Sequence, residues 1–417
     1  FATLNSAKVN NPHSLFHKGS GLRAFFVPTP GPAAFRIRPA KLFSADDSML
    51  PFELNLPTRL VFGEGVISGL TAAVEQFGSN VLLVTGGGSV RRMGLLDKVK
   101  ALLPRCRLSE LSGITPNPKI DSVRRGVAIC RDEKIDVIVA LGGGSVIDAA
   151  KAVAAGACFE GDVWDLVKKK ASVIRALPVV AVLTLAATGS EYDGCAVISN
   201  PETKEKLSLK SPLLFPAMSF CDPAYTVTVP AGQTAAGACD ILSHVFEQYF
   251  VAEGNDLTDS LSEALMRTVI KFTPIALAHP ENLKARGELM AASSFGCCGL
   301  LAMGRTGSPW PCHGIEHELS AFYDITHGTG LAIITPHWMR WTLTDATAPR
   351  FAQYGVRVWG LSADGDAMTT ARKAVDLTAD FFGSIGMPAT LTEVGITDEH
   401  FEAMADHLAA IPRPMEK

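Results

Sequence analysis

Two short glycine turns constrain the fold of this chain more than any other feature. Both read GGGSV, at 86–90 and 142–146, and each follows an apolar run and precedes a segment with helical spacing. A third apolar run, 177–187, leads into the polar turn ATGSE, and residues 121–133 also have helical spacing. Strands that alternate with helices form parallel sheets covered by helices. We therefore predict an α/β, Rossmann-like domain with its turns at the carboxyl ends of the strands, where such folds bind ligands.

The character of the sequence changes twice along the chain. Residues 1–50 carry six Lys and Arg and have no acidic residue before Asp46. This is typical of a transit peptide for a mitochondrion or plastid, or else of a disordered extension on a cytoplasmic protein. Residues 51–229 hold the strand-and-turn pattern, and prolines punctuate its end. Long segments of helical periodicity then predict an all-helical domain over 230–417.

The composition excludes several kinds of partner. The formal net charge is −4 and the body has no basic excess, which argues against a nucleic-acid partner. The longest nearly apolar run, 176–187, is too short to cross a bilayer. The nine cysteines form no CxxC pair, so a reducing compartment fits better than a disulfide framework. We expect a soluble body that acts on small molecules.

The glycine turns are suited to a dinucleotide, although neither matches the GxGxxG or P-loop pattern. Glycine lets the backbone approach a pyrophosphate, and the following helix offers free N–H groups. A tight turn without a ligand is the alternative. NAD sites often place a carboxylate after an early strand to bind the ribose. Here Arg91 and Arg92 follow Ser89 instead, which favours NADP(H) over NAD(H) unless both arginines are simply solvated.

Histidines are concentrated in the helical half. His313, His317 and His327 lie close together in the sequence, and upstream Asp240 and His244 are four residues apart, on one face of a predicted helix. Asp240, His244 and two of the three histidines could supply four metal ligands. Imidazole and carboxylate together suit Zn(II) or Fe(II). The spacing does not decide which histidine is left over.

Four motifs together resemble the iron-containing alcohol dehydrogenase family. They are LGGGSVIDAAK, LTLAATGSE, GACDILSHVFEQY and CHGIEHELSAFYDITHGTGLAI, which stand in family order within about residues 54–395. The likeness is greatest to the branch of NADPH-dependent butanol dehydrogenases and aldehyde reductases. It implies a dinucleotide domain, a helical metal domain of dehydroquinate synthase-like architecture, and a homodimer. It also implies metal-dependent hydride transfer between NADPH and a small to medium, uncharged aldehyde or primary alcohol.

The resemblance also assigns roles to single residues. It makes Asp240, His244, His313 and His327 the metal ligands and leaves His317 near the nicotinamide. There His317 either passes a proton to the nascent alkoxide or orients the cofactor. The first turn would receive the 2′-phosphate and the second the pyrophosphate. Including Arg91 from the charge argument, the predicted cofactor residues are Gly86, Gly87, Gly88, Ser89, Arg91, Gly142, Gly143, Gly144, Ser145, Asp148, Thr184, Thr188 and Lys206.

Three features depart from the family pattern. Asp193 stands where this branch often has asparagine, and it adds negative charge near the cleft. Members of the family usually continue with another helix where this sequence stops, and the basic extension is absent from bacterial relatives. We expect the first to affect cofactor affinity, the second stability and the third location.

Three other functions are compatible with parts of the sequence. His313, Glu316 and His317 spell H-x-x-E-H, which the inverzincin proteases share, so a zinc hydrolase is one of them. A metal- and NAD-dependent lyase resembling dehydroquinate synthase is the second, although the basic cluster that it needs is not seen near the metal motifs. A non-catalytic metal- or nucleotide-binding protein is the third.

Overall fold

The computed structural model describes residues 49–363 and 365–410. The basic N-terminal extension, predicted to be a transit peptide or a disordered segment, lies outside the described residues apart from residues 49 and 50, and so do the last residues of the chain. The strands are β1 (Arg59–Phe62), β2 (Asn80–Gly86), β3 (Arg107–Ile114), β4 (Val137–Gly142), β5 (Val179–Leu183), β6 (Cys195–Asn200), β7 (Glu205–Lys210) and β8 (Met218–Cys221).

The helices become longer after residue 230. Those before it are α1 (Leu70–Glu75), α2 (Ser89–Arg92), α3 (Leu95–Leu102), α4 (Ile120–Asp132), α5 (Gly144–Ala157) and α6 (Val163–Val167). Those after it are α7 (Ala231–Tyr249), α8 (Asp256–Ala278), α9 (Leu283–Gly296), α10 (Pro311–Tyr323), α11 (His327–Thr342), α12 (Ala348–Trp359), α13 (Ala367–Ser384) and α14 (Phe401–Ala410).

Six parallel strands form the main sheet, in the order β1-β8-β5-β4-β2-β3. Alternate side chains of β2 point to opposite faces: Leu82 and Val84 pack in one apolar cluster, and Val81 and Leu83 in another. Every residue of β4 is buried because helices cover both faces. The predicted α/β fold with a helical C-terminal part is confirmed.

The helical part is built around α7. All its residues from Thr234 to Tyr249 are buried, so polar side chains on this helix lie inside the protein and need partners there. A methyl group at Gly237 on α7 would overlap the backbone oxygen of Ala186, in the loop after β5, so the two backbones pass close to each other. The central helix therefore meets the carboxyl edge of the sheet, where the glycine turns lie. Within the ranges that the structure covers, no helix is long and apolar enough to span a membrane.

Candidate metal and cofactor site

Three helices bring the predicted metal ligands together. Asp240 and His244 lie one turn apart on α7, His313 lies in the first turn of α10, and His327 begins α11. Ligand atoms of Asp240, His313 and His327 all lie within 4.8 Å of one another. His244 lies beside them, with Nδ1 at 3.2 Å from Asp240 Oδ1 and its ring centroid 4.5 Å from that of His313.

The centre of this cluster holds unsatisfied polar atoms. Asp240 Oδ1 and His313 Nε2 are buried and have no hydrogen-bond partner within the described part of the chain. They lie 3.8 Å apart, and His327 Nε2 is 3.7 Å from the same carboxylate oxygen. Buried polar atoms without a partner are costly. A carboxylate oxygen and imidazole nitrogens converging on one point form a suitable site for Fe(II) or Zn(II).

Two carboxylates hold the outer sides of the histidine rings. Glu247 contacts Nδ1 of His313, and Glu316 contacts Nδ1 of His327. Glu247 also accepts hydrogen bonds from the backbone N–H of Cys312, at 2.6 Å, and of His313, so it caps the first turn of α10. A carboxylate on one ring nitrogen orients the ring and leaves Nε2 for a metal.

The charged groups of the cluster and their burial shift the pKa values of its side chains. Burial alone would raise the pKa of Asp240, but His244, His327 and His313 outweigh it and bring the pKa down to about 2. Burial lowers the pKa of His244 and His327. Burial also opposes a charge on His313, yet Glu247 and Asp240 raise the pKa of its ring to about 9.

His317 stands beside the cluster and outside its centre. Its ring centroid is 6.3 Å from that of His313 and 5.6 Å from that of His327. Burial and then the charge of Lys206 hold its pKa well below the usual value. The lowered pKa favours the neutral form of the His317 ring.

A second combination of donors, Glu316 with His317 and His327, also has ligand atoms within 4.8 Å of one another. In it, however, Glu316 is already engaged, since Ser320 and Lys206 donate to its oxygens and Nδ1 of His327 contacts it. The unpartnered atoms lie on Asp240 and His313. A hydrolase of the H-x-x-E-H kind would need this glutamate free to activate water, and it is not free.

The two glycine turns lie side by side, because β2 and β4 are neighbours in the sheet. Gly142 ends β4, Gly143 caps α5, and Gly144 and Ser145 form the first turn of that helix. A methyl group at Gly144 would overlap the hydroxyl oxygen of Thr188. Only glycine fits there, and backbone N–H groups at the start of α5 stay close to the cleft.

The neighbouring residues join this turn to the rest of the edge. Thr184 follows β5, and its N–H donates to the carbonyl oxygen of Gly142 at 3.0 Å. Asp148 on α5 accepts hydrogen bonds from the hydroxyl of Ser190, at 2.6 Å, and from the N–H of Val197, at 3.0 Å. Burial raises the pKa of Asp148 to about 6. Asp148 thus ties α5 to the turn after β5 and to β6.

In the first turn, Gly86 ends β2, Gly87 follows, and Gly88 has φ of 109°, in the left-handed region. Ser89 then starts the short helix α2. The guanidinium of Arg91 is paired with Glu110 on β3 at 2.6 Å, so it is not simply solvated.

The negative charge of Asp193 is compensated. Its carboxylate pairs at 2.6 Å with Lys151, whose side chain is fully buried on α5. The same ammonium donates to the backbone oxygens of Asp193 and Cys195. This departure from the family pattern therefore adds no unpaired charge near the cleft.

Lys206 lies on β7, and its ammonium faces the metal cluster. It donates to Glu316 Oε2 at 3.1 Å and to Ser320 at 3.0 Å, and it lies 3.3 Å from Nδ1 of His327. Its role toward a cofactor stays a prediction.

Sequence reasoning missed the outer carboxylates. Glu247 follows Asp240 and His244 at positions i+7 and i+3 of the same helix, so helical spacing could have identified it. In the sequence, Glu316 stands out only as the glutamate of the H-x-x-E-H motif that some zinc proteases share. Glu316 lies on α10 and His327 begins α11. Helical periodicity does not extend across the turn between these two helices, so the sequence gives no sign of this contact.

A buried Asp/His cluster in a helical part that packs against the glycine-turn edge of a parallel sheet suits a metal-dependent, nicotinamide-linked oxidoreductase. Residues 57–223 match the model described as iron-containing alcohol dehydrogenase, and residues 234–413 match the model of that family's C-terminal part. The chain belongs to the iron-containing alcohol dehydrogenase family. The predicted family and enzyme class are thereby confirmed, and the lyase, hydrolase and non-catalytic alternatives are not favoured.

Individual relatives agree with this result. The chain is 47% identical over 360 residues to NADH-dependent butanol dehydrogenase A of Clostridium acetobutylicum, covering 86% of this chain and 92% of that protein. It is 34% identical to NADPH-dependent aldehyde reductase YqhD of Escherichia coli, with coverage of 86% and 92%. The structure of butanol dehydrogenase A from Thermotoga maritima matches with a TM-score of 0.84 and 37% identity, covering 87% of this chain and 91% of that one. These relatives differ in cofactor, so the choice between NADH and NADPH stays a prediction.

Proposed function

We propose that this protein catalyses the reversible reduction of small to medium, uncharged aldehydes to primary alcohols by NADPH. One divalent metal, Fe(II) or Zn(II), would be held by Asp240, His244, His313 and His327. The observation that carries this proposal is the pair of buried, unpartnered atoms on Asp240 and His313. The helix α7, which carries Asp240, also packs at Gly237 against the loop after β5, at the sheet edge where the glycine turns lie, and this supports a reaction that joins a metal and a nicotinamide.

The chain's own residues would prepare the reaction. A bound divalent ion supplies Lewis acidity toward a carbonyl oxygen, and a reduced nicotinamide supplies the hydride. Glu247 and Glu316 orient the rings of His313 and His327 through Nδ1. His317, as a neutral imidazole next to both rings, would relay the proton that the alkoxide requires. The turn at Gly142–Ser145 would bind the pyrophosphate, with Asp148, Thr184 and Thr188 shaping its surroundings.

The preference for NADP(H) is inferred from the first glycine turn. Gly86 to Ser89 offer no carboxylate that would repel a 2′-phosphate. Glu110 binds both Arg91 and Lys100, so this small cluster keeps an excess of positive charge. A phosphate would compete with Glu110 for Arg91, whose side chain is 52% exposed. The reductase of Escherichia coli is NADPH-dependent by name and the Clostridium enzyme NADH-dependent, so relatives with either cofactor exist.

The first experiment is an assay of NADPH oxidation with butanal. Metal-stripped protein would receive Fe(II) or Zn(II), with NADH in parallel. Metal-dependent oxidation that is faster with NADPH is expected. A folded sample that shows no turnover with either metal, either cofactor or any simple aldehyde would refute the reductase.

Two further predictions need other experiments. The proposed homodimer is tested by sedimentation. The proposed organellar targeting is tested by expressing residues 1–50 fused to a fluorescent protein.

A further inference from the structure

A buried ion pair connects the antiparallel β6–β7 hairpin to the Asp/His cluster. Lys206 on β7 pairs with Glu316 on α10, and their side chains are 5% and 0% exposed. Ser320, one turn further along α10, accepts a hydrogen bond from the same ammonium and donates to Glu316. Removing one partner of a buried pair leaves an uncompensated charge, which is strongly destabilising. A buried pair of this kind is not an incidental surface contact, so we ask what role it has in the structure.

Glu316 links this ion pair to a predicted metal ligand, His327. Its Oε2 atom, which receives the hydrogen bond from Lys206, also contacts Nδ1 of His327. The opposite nitrogen of that ring, Nε2, points at Asp240 from 3.7 Å. A carboxylate on Nδ1 fixes the tautomer in which Nε2 is free to bind a cation. Lys206 in turn fixes the carboxylate.

The hairpin that carries Lys206 is anchored to α5. Lys206 lies opposite Ser199 in the β6–β7 ladder. On β6, the N–H of Val197 donates to Asp148, a residue of α5. The β6–β7 hairpin thus connects α5, through Val197, with Glu316 and the histidine cluster, through Lys206.

We propose that Lys206 and Glu316 form a positioning pair that orients His327 for a divalent cation, so that Lys206 serves the metal site from the β6–β7 hairpin. The proposal rests on the metal site of the proposed function. It differs from the role beside the cofactor that the family resemblance gives Lys206. The two roles predict different losses on substitution.

The test is the affinity for Zn(II), measured by competition with a chromogenic chelator, in full-length protein without cofactor or substrate. Glu316→Gln and Lys206→Met should each weaken Zn(II) binding by roughly 10- to 100-fold, the usual effect of losing an outer partner of a ligand. Glu318→Gln is the matched control. It lies on the same helix and is buried, but its carboxylate faces His407 at 3.3 Å and touches no metal histidine. Its Zn(II) affinity should stay within about twofold of wild type, a much smaller change than the roughly 10- to 100-fold loss expected for an outer partner.

Several outcomes would overturn the pair. One is Lys206→Met with wild-type Zn(II) affinity but weaker NADPH binding by fluorescence titration, since that is the signature of a cofactor residue. If Lys206→Met does not fold, the double variant Lys206→Met/Glu316→Gln decides, because it leaves no unpaired charge. Wild-type Zn(II) affinity in that variant refutes the proposal, and a tenfold or larger loss supports it.

The same measurements separate this proposal from the reductase. A wild-type protein that binds no Zn(II) would end both the metal site and the positioning pair. A wild-type protein that binds Zn(II) but reduces no aldehyde would refute the reductase and leave the pair standing, provided that the Glu316→Gln and Lys206→Met losses are observed.

Discussion

Oδ1 of Asp240 and Nε2 of His313 face each other across 3.8 Å inside the protein, and neither has a hydrogen-bond partner within the described residues. They lie on different helices, α7 and α10. The capping of α10 by Glu247 sets where His313 stands relative to Asp240. Helix packing, rather than a mobile loop, therefore fixes the centre of the candidate metal site.

Asp240→Asn tests that centre directly. The variant keeps the shape but loses the charge, so the metal affinity should fall by more than the roughly 10- to 100-fold typical of an outer partner. Metal content after dialysis, and chelator competition, measure the loss. Asp376→Asn, which changes only a surface pair with Arg340, is the control. Wild-type metal retention in Asp240→Asn would contradict the proposed ligand set.

His317→Gln separates relay from ligation. The proposed relay predicts a loss of about 100-fold or more in kcat with unchanged metal content. His337→Gln on α11, whose ring lies 3.2 Å from the carbonyl oxygen of Ala389, should keep wild-type turnover. A normal kcat with a raised KM for NADPH would instead assign His317 to orienting the cofactor.

Glu110→Gln should shift the cofactor preference. It releases Arg91 toward a 2′-phosphate, and because exposed ion pairs are worth at most about 1 kcal/mol, the NADPH-to-NADH ratio of kcat/KM should rise by up to about fivefold. Arg91→Ala should lower the same ratio. If neither variant changes this ratio, the first turn does not distinguish NADPH from NADH at the ribose 2′ position.

Gly144→Ala should destabilise the protein by about 1–3 kcal/mol, because the added methyl group overlaps Thr188. Chemical denaturation measures the free energy of unfolding. The double variant Gly144→Ala/Thr188→Ala should recover part of the loss. A methyl group at Gly87 meets open space, so Gly87→Ala should not be destabilised in this way. Equal stability of both single variants would show that the contact at Gly144 is unimportant.

Glu191 should make stability depend on pH. Burial raises its pKa from 4.5 to about 7, although Ser294 donates to one oxygen. The folded state then holds a proton that the unfolded chain has already lost, so stability falls as pH rises from 4.5 to 7. The loss is on the order of 3 kcal/mol. Glu191→Gln should flatten this slope in urea titrations at several pH values, and an unchanged slope would contradict the assignment.

Local signals account for what the sequence predicted. The second GGGSV turn indicates a strand-to-helix junction because Gly142 and Gly144 pass so close to Val146 and Thr188 that no side chain is tolerated, whereas in the first turn the positive φ of Gly88 favours glycine. Asp240 and His244 could be grouped because helical spacing puts them on one face. The sequence also separated the sheet from the helices after residue 230.

The contacts that could not be predicted from the sequence are long-range. Lys206 and Glu316 are 110 residues apart, and their pairing depends on how the β6–β7 hairpin packs against α10. The partner of Arg91 lies on a neighbouring strand, so it becomes visible only once β2 and β3 pair. No periodicity carries such information, because these side chains meet through tertiary packing alone.

The outer carboxylates around the histidines have one more consequence, which concerns the charge balance of the site. Asp240, Glu247 and Glu316 contribute three formal negative charges within the buried cluster, and Lys206 contributes one positive charge. Two negative charges remain, so a doubly charged ion makes the interior electrically neutral, whereas a monovalent ion would leave an excess. Protons on the imidazoles can balance the same charges, so loading with a divalent metal should acidify an unbuffered solution.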